Sequence, residues 1–191
     1  MRVLFTIICL FLIGIVSNGQ SDTDRRFKTS KLDFSQGFVL PLQGGSGEKA
    51  GWLIALEQKY ALSDKFTLGL RWETAIISRT IGTSEGKEDV DGHGNFSFTI
   101  TCDYYFNTNK LRPFIGGGLG YNWMARPIKS DILILNDFAF KFGYMLRAGF
   151  EIGHFRLGLE YNRIGSTNSY PDNNYIGFKV GVFFGGGRIK K

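Results

Sequence analysis

Side chains that carry chemistry are scarce in this sequence. Its 191 residues include two histidines, two cysteines and four prolines. Cys9 lies within an apolar N-terminal stretch, which leaves Cys102 as the one cysteine of the remaining chain and excludes an internal disulfide there. Cys102 falls on the apolar positions of an alternating segment, so packing as a small hydrophobe is favoured over a reactive thiol.

A long apolar stretch is also missing after the N-terminus. Arg2 precedes an apolar stretch at residues 3–16 that is too short to span a bilayer with any margin, and small residues follow it. This pattern predicts a signal peptide over residues 1–19, cleaved before Gln20. A membrane anchor at the N-terminus is the alternative interpretation.

Positive charge is present but not concentrated along the sequence. Without Arg2 the chain has 22 basic and 17 acidic residues, and the one small basic group is Arg188, Lys190 and Lys191. Proteins that bind nucleic acid gather basic residues on one face or stripe. The sequence therefore predicts no nucleic-acid partner.

The sequence does have a regular alternation of apolar and polar residues. Between residues 138 and 161 the apolar side chains occupy every second position, and the alternation shifts by one after Gly153-His154. A period of two indicates β-strands, because successive side chains point to opposite faces. A two-residue link beginning with Gly is typical of a tight hairpin. The segment therefore predicts two antiparallel strands.

The same alternation occurs eight times along the chain. The predicted strands cover roughly residues 31–42, 50–61, 65–79, 94–106, 112–125, 138–152, 155–161 and 174–185. Short links, at residues 62–64, 107–111 and 153–154, alternate with longer ones, at residues 43–49, 80–93, 127–137 and 165–173. In outer-membrane barrels the short turns face the periplasm and the long loops face outward.

These features predict an all-β fold: an eight-stranded antiparallel up-and-down transmembrane β-barrel in a Gram-negative outer membrane. After the signal, no apolar stretch reaches the length of a spanning helix, and only helices and closed barrels satisfy every backbone group in lipid. We expect a short periplasmic segment at residues 20–30, the barrel at residues 31–186, and a basic tail at residues 187–191.

Side-chain volume predicts which face of the barrel points inward. A soluble lipocalin-type barrel also has eight strands, but it turns its apolar face inside. Roughly forty large apolar residues cannot fit within an eight-stranded interior, so we expect them to face lipid. The opposite face then lines the lumen.

Acids and bases are mixed on the face predicted to line the lumen. Because buried charges persist only when paired, they predict a structural salt-bridge network that fills the barrel. A proton or ion path is the alternative, which the narrow interior disfavours. The predicted interior charges are Glu57, Lys59, Arg71, Glu73, Asp103, Arg112, Lys141, Arg147, Glu151, Arg156, Glu160 and Lys179.

Two segments resemble those of a known group. They are Arg112 to Tyr121, with the sequence RPFIGGGLGY, and Gly177 to Phe184, with the sequence GFKVGVFF. Over the whole mature chain, the sequence resembles the small eight-stranded outer-membrane proteins, the OmpA-, OmpX- and OmpW-like β-barrel superfamily. Many members end on an aromatic residue that the assembly machinery recognises, whereas residues 185–191 extend past Phe184 here.

No catalytic, cofactor or metal site is predicted. Lipid A deacylases, which share this architecture, carry a His-x-Ser-Asn segment, and the comparable residues 160–168 have a serine but no histidine to act as base. His93 with Ser97 is a weak pair, and His154 lies in a tight turn. Acidic residues within 80–93 favour a solvated loop over a Ca²⁺ site, since the spacing departs from an EF-hand.

The resemblance implies a non-catalytic protein whose surface loops serve adhesion, protection or membrane integrity. The alternatives are passive uptake of small hydrophobic compounds, as in the OmpW-like branch, and a soluble periplasmic ligand binder. The implied partners are outer-membrane lipid and lipopolysaccharide, with periplasmic chaperones and the barrel-assembly machinery during biogenesis. The implied state is a monomer.

Overall fold

The computed structural model describes residues 25–42, 48–82, 88–125, 138–165 and 174–189. The expected signal peptide lies outside these residues. The strands are β1 (Ser30–Pro41), β2 (Glu48–Ala61), β3 (Phe66–Gly82), β4 (Glu88–Tyr105), β5 (Leu111–Ala125), β6 (Phe138–Ile152), β7 (Phe155–Ile164) and β8 (Tyr175–Gly185). Within this part of the chain there is no helix long and apolar enough to cross a bilayer.

The eight strands form one closed antiparallel barrel. Each strand pairs with its neighbour in sequence, and β1 pairs with β8 to close the ring. The β6–β7 hairpin pairs Ile152 with Phe155, and Gly153 has the positive φ that its tight turn requires. The predicted fold class is confirmed.

The two ends of the barrel differ in their connections. At the end that we name the turn end, the links are residues 62–65, 106–110 and 153–154. At the opposite end, the loop end, they are residues 42–47, 83–87, 126–137 and 165–174. In outer-membrane barrels the turn end would face the periplasm.

The predicted extent of the loop at residues 80–93 is wrong, because strands cover residues 80–82 and 88–93. β3 continues to Gly82 and β4 starts at Glu88, with Thr80 paired to Val90. These strands have 17 and 18 residues, whereas about 9–11 residues suffice to cross a bilayer, so the hairpin extends past the others. The part of a strand that lies beyond the bilayer needs no apolar face. The alternation of apolar and polar residues therefore did not reveal these extensions of β3 and β4. The acidic residues Asp89 and Asp91 therefore belong to a paired strand.

The outer face of the barrel is apolar. Ile100 is 63% exposed, and Phe140 and Phe184 are each 66% exposed. Cross-strand aromatic pairs lie near the loop end, where the ring centroids of Phe38 and Trp52 are 4.9 Å apart. This orientation confirms the volume argument and excludes the soluble-barrel alternative, which required these residues inside.

Two short segments cross the turn end and pair with each other. We call residues 25–29 and 185–189 the end cap. The backbone N–H of Lys28 donates to the carbonyl of Gly187 at 3.0 Å, and that of Ile189 donates to Arg26 at 2.8 Å. Gly185 and Gly186 have φ of 75° and 58°, which turns the chain inward after β8.

Candidate functional site in the barrel interior

The interior of the barrel is the most elaborate site in the described residues. All twelve charged residues predicted for the lumen are buried there, and Lys31 and Asp33 join them. The alternation of β1 contained the signal for both, because their positions alternate with those of the outward-facing Leu32 and Phe34. Eight basic and six acidic side chains are buried within the described residues.

Arg147 lies at the centre of the charged layer. Its Nη1 and Nη2 donate to the two carboxylate oxygens of Glu57, each at 2.7 Å, and its Nε donates to Asp103 at 2.6 Å. The hydroxyl of Thr101 also donates to Glu57. Such fork-shaped charge-assisted contacts are the stronger kind of hydrogen bond. Arg147 thereby links β6 to β2 and β4 across the lumen.

The network continues from Asp103 toward the turn end. Arg156 donates to Asp103 at 2.9 Å and to Glu151 Oε1 at 2.6 Å. Lys59 donates to Asp103 at 3.0 Å. Glu151 Oε1 also accepts hydrogen bonds from Lys31 and from the hydroxyl of Tyr105. A carboxylate on β6 is thus held by groups from three other strands.

A second group of charges lies toward the loop end. Arg71 contacts Glu73 and Glu160, the latter at 2.6 Å. Lys179 contacts Glu160 at 2.6 Å and Glu73 at 3.5 Å. The hydroxyl of Tyr175 donates to Glu73 at 2.6 Å. These contacts tie β3 to β7 and β8.

An apolar layer covers the charges at the loop end of the lumen. It was not predicted, because these apolar residues occupy inward-facing positions, and most such positions are polar. Its buried members are Val39, Leu53, Ala75, Ile77, Met124, Ile164 and Tyr175. Lys141 is buried on β6 in the same half of the barrel.

At the turn end, Arg112 closes the other side of the charged layer. Its guanidinium carbon lies 3.9 Å from the ring centroid of Phe27 and 4.0 Å from that of Tyr105. Its Nη2 donates to the carbonyl of Asp64 at 2.7 Å. Phe27 belongs to the end cap, so the cap rests directly on an interior cation.

Glycines make the space for this network. A Cβ on Gly116 would lie 2.1 Å from Asp103 Oδ1, and one on Gly69 would lie 2.5 Å from Glu57 Oε1. A Cβ on Gly120 would lie 2.1 Å from the backbone carbonyl oxygen of Phe98. Close packing therefore explains Gly116 and Gly120 of β5.

The histidines and metal-ligand residues show no reactive grouping in the described residues. His154 Nδ1 donates to the carbonyl of Phe183 at 2.9 Å at the turn end. Ser97 is buried in the lumen, and the side chain of His93 lies outside the described part. No three His, Cys, Asp or Glu side chains of that part are grouped to hold a metal ion.

A protein of known sequence and several solved structures are similar to this chain. No family model matches it. It is 33% identical over 109 residues to the protein opa of Haemophilus influenzae, an alignment that covers 54% of this chain and 88% of that protein.

Solved structures share the fold. Neisserial surface protein A has a TM-score of 0.55 at 16% identity, covering 81% of this chain and 94% of that one. The outer-membrane protein OprG of Pseudomonas aeruginosa has a TM-score of 0.51 at 13% identity, covering 84% and 98%. The closed eight-stranded barrel and the sequence similarity to opa lead to the same conclusion. This chain belongs to the family of small eight-stranded outer-membrane β-barrel proteins.

Proposed function

We propose that this protein is a non-catalytic, non-conducting outer-membrane barrel that acts through its loop end at the cell surface. The actions proposed for the loops are adhesion, surface protection and support of membrane integrity. The observation that carries the proposal is the filled lumen, in which paired charges lie between the apolar layer and the end cap. The barrel is the scaffold, and the connections at the loop end present the active surface.

The packing of the lumen supports a sealed barrel. An eight-stranded interior is just wide enough for side chains to fill it. Arg147 bridges Glu57 and Asp103 across this width. Opening a path would separate buried ion pairs, which costs several kcal/mol for each unpaired charge. This favours a structural role for the network over a proton or ion path.

The loop end supports a role at the surface. The β3–β4 hairpin extends beyond the length needed to cross a bilayer, so it carries backbone away from the membrane. The longest connections, residues 126–137 and 165–174, lie at the same end. Uptake of hydrophobic compounds would need a route past the charged layer, since strand pairing is continuous around the described barrel.

Loop replacement tests the surface role. Residues 83–87 or 126–137 would be replaced by Gly-Ser segments of equal length and the protein expressed in a non-adherent Gram-negative host. The proposal expects intact barrels, shown by heat-modifiable migration, that have lost host-cell binding or serum survival. A matched control replaces residues 107–110 at the turn end and should keep both. Unchanged surface phenotypes in both loop variants would contradict the proposal.

A further inference from the structure

The fold gathers positive charge that the sequence leaves scattered. Exposed basic side chains surround the turn end, and Arg25 is half-buried beside them. The exposed ones are Arg26, Lys28, Lys65, Lys110 and Arg188. Among the described residues the acidic group on this rim is Asp64, whose carboxylate accepts backbone N–H groups of Arg26 and Phe27 at 3.1–3.2 Å. The rim is therefore strongly cationic.

A cavity of about 320 Å³ opens within this rim. It lies between the β4–β5 turn, the β6–β7 turn and the end cap. Its lining includes Lys110, Arg112, Arg188 and His154. The volume is at the lower end of the range for small-molecule sites, which is roughly 300–1,000 Å³.

Two buried polar atoms of the lining have no hydrogen-bond partner among the described residues. One is the Nε of Arg112, a donor, and the other is Oε2 of Glu151, an acceptor. Both residues are at least nine-tenths buried. Glu151 Oε2 lies 3.8 Å from Arg112 Nη1, an ion pair too long for a hydrogen bond, and the other carboxylate oxygen accepts hydrogen bonds from Arg156 and Lys31. The cavity thus offers excess positive charge, since three basic side chains line it and its one acidic residue, Glu151, is already paired with Lys31 and Arg156.

A row of exposed apolar residues borders the cavity. Leu111 follows Lys110 in sequence and pairs with Ile152, which pairs with Phe155 beside His154. These three side chains are 45–63% exposed on the outer face. A molecule with acyl chains on this row would place its polar end beside Lys110 and the cavity, because the two surfaces adjoin.

We propose that this cavity binds the headgroup of an anionic phospholipid of the periplasmic leaflet. The phosphodiester contacts the exposed Lys110 and Arg188, and the buried Arg112 guanidinium in the cavity lining adds positive charge. The acyl chains lie on Leu111, Ile152 and Phe155. Basic clusters at a membrane surface attract anionic lipid by the same electrostatics, and charge-assisted bonds to phosphate strengthen the contact.

Native mass spectrometry of the full barrel tests the proposal. Detergent-released protein is titrated with phosphatidylglycerol or phosphatidylcholine, and the first bound lipid is counted. We expect tighter binding of phosphatidylglycerol, and the double variant Lys110→Gln with Arg188→Gln should lower that binding roughly tenfold, since each basic residue near the membrane surface contributes a several-fold factor. Both residues are exposed, so the variant should fold and keep its heat-modifiable migration.

A charge-matched control separates the cavity from general attraction to the rim. The double variant Lys28→Gln with Lys65→Gln removes the same charge outside the cavity and should change binding less than about twofold. Equal losses in both double variants, or no loss in either, would overturn the site. Displacement of the lipid by equimolar inorganic phosphate would overturn the lipid as its ligand, as would equal binding of phosphatidylethanolamine.

Discussion

Substitution of Arg147 by methionine probes the charged layer at its centre. The change keeps most of the side-chain volume but removes three hydrogen bonds, two to Glu57 at 2.7 Å and one to Asp103 at 2.6 Å. Lys59 remains within 3.5 Å of Glu57 and 3.0 Å of Asp103, so neither carboxylate loses every cation. Breaking a buried pair costs about 3–5 kcal/mol, and we expect the lower part of this range, about 3 kcal/mol.

The free energy of unfolding would be measured by urea titration of the barrel in lipid vesicles, followed by tryptophan fluorescence and gel migration. Lys65→Met changes an exposed lysine and should cost less than about 0.5 kcal/mol. The double variant Arg147→Met with Glu57→Gln should lose at least about 1 kcal/mol less free energy of unfolding than the two single variants lose together, because the two groups are in contact. A loss below about 1 kcal/mol for Arg147→Met would refute the inference that this pair organises the lumen.

Further substitutions test the packing, the outer face and the orientation. Gly116→Ala should lower the free energy of unfolding by about 2 kcal/mol, because its Cβ would lie 2.1 Å from an interior carboxylate oxygen, whereas Gly158→Ala, with its neighbours at 3.9 Å or more, should be tolerated. Equal losses would contradict the packing argument. Ile100→Arg should cost about 2–4 kcal/mol and Leu111→Arg, near the barrel end, about 0–1 kcal/mol, measured by the same titration. A depth-independent cost would contradict the membrane position. An epitope tag within residues 83–87 should bind antibody on intact cells, while a tag in the β4–β5 turn should bind it only after permeabilisation; the opposite pattern would reverse the orientation.

Alternation and volume were enough to predict the barrel and its inward parity. Strand period, strand number and the excess of bulky apolar side chains each follow from the sequence without knowing any contact. The same parity also contained Lys31 and Asp33, which the predicted interior set omitted. The ends of the strands were harder to predict from the sequence, because the extended parts of β3 and β4 lack the apolar face on which the prediction depended.

Contacts between distant residues were beyond sequence reasoning. Arg147 and Glu57 lie 90 positions apart, and their pairing depends on which side chains reach across the lumen. The apolar layer that includes Leu53 was hidden because isolated apolar residues on a polar parity give no periodic signal. The end cap includes a bridge between Phe27 and Arg188, which joins the two ends of the described chain and has no signal in the sequence pattern.

Single-channel recording in planar bilayers tests the sealed barrel most directly. The purified wild-type protein would be inserted into the bilayer, and its folded state confirmed by heat-modifiable migration. The filled lumen predicts insertion without discrete conductance steps in salt solution. A steady ohmic conductance from folded wild-type barrels would contradict the sealed lumen and favour a transport role.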